Sequence, residues 1–222
     1  MDQNVILVET VPLEFDLESL GCRLRIRPGQ TKFMDRLSRL AEEAVRVARP
    51  KAVARLCGLT ILDEEKVQVG EVTFSSPLLR QKMDGLGRAF PYLASEGTEL
   101  ADWSLSLSSS LEQVFASALG EVAVQQAENL LERTLLERYG IAQVSAMNPG
   151  SLKVWSLEEQ VPLFELLAPL PEKLGVTLLP SLMMRPEYSV SGVFFQTDSK
   201  FYNCQLCPKK ECPNRRTPSL VT

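Results

Sequence analysis

Residues 106–140 read "SLSSSLEQVFASALGEVAVQQAENLLERTLLERYG". Leu111, Val114, Phe115, Ala118, Val122, Gln125, Leu130 and Leu131 lie mostly on one stripe at helical spacing, and Gly140 supplies a C-terminal stop. The stretch predicts one long helix whose stripe packs on a core; a homodimer seam is the alternative use of the same face.

Both flanks of this helix carry strand signals. Upstream, "NVILVETVPLEF" predicts a strand ended near Pro12, and Asp16 caps a short helix in "DLESLGCRLRI". "TKFMDRLSRLAEEAVRVARP" repeats Leu37, Leu40, Ala44, Val47 and Ala48 at helical spacing and stops at Pro50. "AVARLCGLTILDEEKVQVGEVTFSS" reads as strands turning at "DEEK", and Ser76-Pro77 opens a further helix through "PLLRQKMDGLGRAF". Downstream, Ser156 and Glu159 fit a capping box at the start of "SLEEQVPLFELLAPLPEKLG". "VTLLPSLMMRPEYSVSGVFFQT" gives two strand-like runs broken at Arg185-Pro186. Strands and helices do not alternate regularly, so the expected class is α+β with a mixed or antiparallel sheet.

The chain has 222 residues, 45% apolar and 23% charged, with a net charge of −4. That composition suits a globular domain and does not favour a nucleic-acid partner. No apolar run reaches the roughly 18 residues of a membrane span. The acidic N-terminal "MDQNVILVETVPLEF" lacks the basic region of a signal peptide, so a cytoplasmic location is expected. There is no histidine, which removes Ser-His and Cys-His nucleophiles and histidine-ligated zinc.

Three of the five cysteines, Cys204, Cys207 and Cys212, form C-x2-C-x4-C in "FYNCQLCPKKECPNRR". The first two lie close enough in sequence to reach one zinc ion or iron-sulfur cluster, and Cys212 supplies a third thiolate. Lys209, Lys210, Arg215 and Arg216 would favour the thiolate form, while Pro208 and Pro213 oppose helix. The fourth ligand is open: Cys22, Cys57, an Asp, a second chain or a non-protein group. Three reduced cysteines on a basic tail are the alternative. The expected division is a body over 1–199 and a cysteine-rich tail over 200–222. Cys57, after an apolar strand, is expected to be buried and inert.

"MNPGSLKVWSLEEQVPLFELL" places a tight Asn148-Pro149-Gly150 turn before a helix. Its amides could hold a carboxylate or phosphate, or the turn could merely connect. With "KLGVTLLPSLMMRPEYSVSGVFF" and "CQLCPKKECPNRR" in the same order, the sequence resembles the activation (reactivation) domain of cobalamin-dependent methionine synthase. It is most similar to stand-alone relatives ending in a cysteine cluster. The resemblance implies a curved α+β unit with a bent sheet and flanking helices. It implies binding of S-adenosylmethionine and presentation of it to a corrinoid on a partner, either a corrinoid protein or a cobalamin-dependent methyltransferase. The residues it brings forward are Asn148, Pro149, Gly150, Ser151 and Trp155. The family's arginine and tyrosine around this turn are replaced by Ala146 and Ser151. Arg185 or Lys153 is then the candidate partner for the ligand's carboxylate.

Overall fold

The computed structural model describes residues 3–209, 212, 215 and 217–220. Lys210, Pro213 and Arg216 lie outside the described residues. In chain order come β1 (Val5–Val8), α1 (Leu17–Arg23), α2 (Thr31–Val47), β2 (Lys51–Arg55), β3 (Cys57–Ile61), β4 (Lys66–Val69) and β5 (Val72–Ser75). Then come α3 (Pro77–Lys82), β6 (Arg88–Ser95), α4 (Thr98–Ser106), α5 (Ser110–Tyr139) and β7 (Val144–Met147). A 3-10 turn at Leu157–Glu159 leads into α6 (Gln160–Leu167), followed by α7 (Leu170–Leu174), β8 (Thr177–Leu178), β9 (Met184–Arg185) and β10 (Ser189–Gln196).

The expected α+β class is observed: one eight-stranded sheet with helices on both faces, plus a two-stranded β8–β9 ribbon. Every recorded strand pairing is antiparallel. β6 is the hub, with β10 on one side and β2 then β3 on the other. The β2 ladder ends at Ala54–Tyr92 and pairing resumes at Cys57–Ala89 in β3. Between them lies Pro91, which has no N–H to give a ladder. β1 extends the sheet beyond β2, and β4 and β5 extend it beyond β3.

β6 is buried on both faces. Phe90, Tyr92 and Ala94 pack with Ala127, Leu131 and Leu135 of α5. Leu93 on the opposite face packs with Trp155 and with Leu163, Leu166 and Leu167 of α6. The N-terminal half of α5 packs on α2 and α4 in a third cluster containing Leu37, Leu40, Leu100 and Leu119. A single 30-residue helix therefore serves two cores. It ends where Gly140 takes the left-handed conformation, φ 61°, and Ile141 N–H reaches back to the Leu136 carbonyl.

The local signals upstream behave as expected. Asp16 accepts from the amides of Glu18 and Ser19, and Ser76 accepts from that of Leu79 ahead of Pro77. Three expectations change. The helix opened at Ser76 ends at Lys82, and Ala89-Phe90 belong to β6. The buried stripe of α5 runs through Ala116, Leu119, Ala123 and Ala127, while Val114 is 55% exposed. The Ser156 capping box does not form. The chain opens there with a 3-10 turn, Ser156 Oγ pairs with Glu158, and Glu159 Oε1 instead accepts from Ser75 N–H at 3.2 Å.

Two predictions follow from these placements. Leu131→Ala should cost about 2–5 kcal/mol in urea unfolding, whereas Val114→Ala should stay within about 0.5 kcal/mol. Burial pushes the Glu159 carboxyl up, against the pull of the Ser75 amide and the Trp155 indole. The folded state thus keeps the proton longer than the unfolded chain. The Glu159 contribution to stability is therefore fully present below the unfolded value near 4.5 and is lost as pH rises through the folded value. Glu159→Gln keeps an acceptor for Ser75, so its urea midpoint should lose that part of the slope.

Candidate functional site

The Asn148-Pro149-Gly150 turn follows β7 directly. Gly150 has φ +77°, which favours glycine, and a Cβ there would also press on Leu157, 2.7 Å from its Cδ1. Gly150 N–H donates to the Trp155 carbonyl at 2.9 Å, closing a small loop. Trp155 is fully buried and meets Phe74 edge to face at 5.7 Å. It braces the loop from below and offers no ring face to solvent.

Asn148 points its side chain the other way. Its Nδ2 donates to Tyr92 Oη at 2.7 Å and to the Ser191 carbonyl at 2.8 Å, and its Oδ1 accepts from Asn203 Nδ2 at 3.0 Å. Tyr92 Oη in turn donates to Glu128 Oε1 at 2.7 Å, and Gln125 Nε2 donates to Glu128 Oε2 at 3.0 Å. The Tyr92 ring lies stacked on Phe194 at 3.9 Å. Gly192 makes this approach possible: a Cβ there would fall 2.6 Å from Asn148 Nδ2 and 2.9 Å from Tyr92 Cε1.

Glu128 and Asn148 border a cleft of about 210 Å³ whose walls also include Glu132, Ala146, Ser151 and Cys204. Lys200, Tyr202 and Asn203 close it from the C-terminal side. That segment is anchored by buried Phe201, whose N–H donates to Ser145 Oγ at 2.7 Å, and by a Lys200–Glu132 ion pair. Asn203 Oδ1 is buried at the cleft without a hydrogen-bond partner.

Of the residues singled out in the sequence, Asn148 and Ser151 meet Cys204 in this cleft. Pro149 and Gly150 shape the turn but do not line it, and Lys153 is exposed elsewhere on the loop. Arg185 lines a different cavity beside Glu96. Tyr92, Glu128, Lys200 and Asn203 were not singled out. Glu128 carries the one readable signal, a carboxylate on the apolar stripe between Ala127 and Leu131.

Cys204, Cys207 and Cys212 are half-buried free thiols, and among the described residues no three Cys, Asp or Glu side chains form a group that could hold a metal. Arg215 ties the backbone of the segment together. Its guanidinium donates to the carbonyls of Cys204 at 2.8 Å, Cys207 at 3.2 Å and Thr217 at 3.2 Å, and also to that of Lys209. Cys22 is exposed; Cys57 is buried, and burial pushes its thiol up to about 11.

No family model and no curated protein matches the chain. Among solved structures it is similar to the MetH reactivation domain bound to AdoHcy. The two share 17% sequence identity with a TM-score of 0.61, over 89% of this chain and 80% of that one. The α+β architecture is therefore that of a reactivation domain, as the sequence resemblance implied. Among the described residues, no helix is long and apolar enough to cross a membrane.

Tyr92→Phe removes both the donor to Glu128 and an acceptor for Asn148. We expect a loss of about 1–3 kcal/mol in urea unfolding, more than a surface hydroxyl would give.

Proposed function

We propose that this chain is an accessory protein of cobalamin-dependent methyl transfer, with the Asn148–Glu128 cleft as its S-adenosylmethionine site. The observation that carries this reading is the buried Glu128 carboxylate, held by Tyr92 and Gln125 in a cleft at the turn that the sequence resemblance singles out. Support also comes from the shared fold with a domain solved with AdoHcy bound.

The donor set suits the amino-acid end of such a ligand. Glu128 can accept from an ammonium group, and Asn203 Oδ1 waits for a donor. Ala146 leaves that wall without a guanidinium, so Lys200, now paired with Glu132, is the cation nearest to hand for the ligand's carboxylate. The volume lies below the roughly 300–1,000 Å³ of small-molecule sites. The nucleoside would therefore enter only as Tyr202 and Asn203 give way. S-adenosylmethionine supplies the methyl group when bound; the chain binds it, orients it and presents a face to the corrinoid-bearing partner.

Calorimetry with S-adenosylmethionine and S-adenosylhomocysteine tests this. Both should bind saturably, and Glu128→Gln should weaken each about tenfold or more, as loss of a charge-assisted hydrogen bond requires. A flat titration with the unaltered protein overturns the ligand assignment. The small volume and the Ala146 and Ser151 positions then favour a non-catalytic partner-binding module on the same fold.

A further inference from the structure

A second cavity, about 500 Å³, opens between α4, α5 and the Arg185-Pro186 bend, and its lining shares no residue with the first. Its volume lies within the usual range for small-molecule sites. At its base is Glu96, only 2% exposed.

Part of Glu96's role is structural. Its N–H donates to the Tyr188 carbonyl at 2.9 Å, and its Oε1 accepts from Tyr188 N–H at 3.2 Å. The side chain thus prolongs the β6–β10 ladder one step past Ser95–Ser189. A glutamine would do the same, so this role does not require a charge. Oε2 has no hydrogen-bond donor among the described residues. Room is made for it inside α5 by Gly120: a Cβ there would fall 2.4 Å from Glu96 Oε2 and 2.6 Å from Tyr188 Cδ2. Glycine in a helix interior costs about 1 kcal/mol relative to alanine, so the helix gives up stability to admit a carboxylate.

The surroundings select the counter-ion. One free carboxylate oxygen beside an aromatic ring is a poor set for a hard divalent cation, which wants six or more oxygens. It suits an ammonium group, which gains from both the carboxylate and the ring. Ala101, Pro186 and Leu105, the last 78% exposed, add an apolar wall.

We propose that this cavity binds a small organic amine, its ammonium group paired with Glu96 Oε2 and its apolar body against Leu105, Ala101 and Pro186. The site is independent of the cleft at Asn148 and stands or falls without it.

Nuclear magnetic resonance titration with benzylamine, and with benzyl alcohol as its neutral counterpart, tests the proposal. At about pH 8 benzylamine should bind saturably with shifts confined to the cavity, and benzyl alcohol at least about tenfold more weakly. Glu96→Gln should abolish the preference for the amine while leaving the S-adenosylmethionine titration unchanged. Ser117→Leu, which fills the cavity from α5, should block both probes and guards against an unstable Glu96 variant. Burial pushes the Glu96 carboxyl up to about 7, with the Tyr188 amide pulling down and Glu187 pushing up. Asp102, Arg185 and the Tyr188 phenol also face it. Amine binding by the unaltered protein should therefore weaken as pH falls through about 7. No saturation by about 10 mM benzylamine, equal binding of the alcohol, or unchanged binding in Glu96→Gln would each overturn the proposal.

Discussion

Tyr92 Oη is the point on which the molecule's layers agree. It accepts from Asn148 and donates to Glu128, so one hydroxyl ties the central strand to the Pro-Gly turn and to the long helix. Tyr92 is fully buried, where an unsatisfied hydroxyl would be expensive. The turn, the helix and the strand are consequently held in one relative arrangement. Gly192 permits it by letting β10 run close beneath both side chains. The cleft owes its shape to this polar chain as much as to hydrophobic packing.

Much of the frame was legible because its signals are local. The caps at Asp16 and Ser76, the stop at Gly140 and the turn at Asp63–Lys66 depend on neighbours a few residues away. β6 was not legible, although it is the hub. It is buried on both faces and shows no alternation, its first residues continue a helical pattern, and Pro91 argues against a central strand. The sheet accommodates that proline by interrupting the ladder between β2 and β3, which no local rule announces. The Ser156–Glu159 spacing misled for a related reason: the first turn is 3-10, and the glutamate serves β5 instead.

The candidate site was half legible. Asn148 and Ser151 stood out through the turn and the resemblance; Glu128 did not, although its charge between Ala127 and Leu131 was there to be read. Tyr92 and Asn203 reach Asn148 from 56 and 55 residues away, so only the fold reveals them. The same long-range geometry parts Arg185 from the turn and places it with Glu96. In the tail, spacing marked three thiols, while the hold of Arg215 on the Cys204 and Cys207 backbone carbonyls is a long-range contact that spacing does not announce.

The cleft is walled on one side by the sheet and α5 and on the other by chain that arrives after the last strand. The first wall cannot be altered without disturbing two cores. The second, beyond Phe201, resembles a door jamb nailed on after the house was framed. It hangs on the frame through Asn203, Leu206 and Cys207, so a few late-arriving contacts, and not the cores, set the width of the opening.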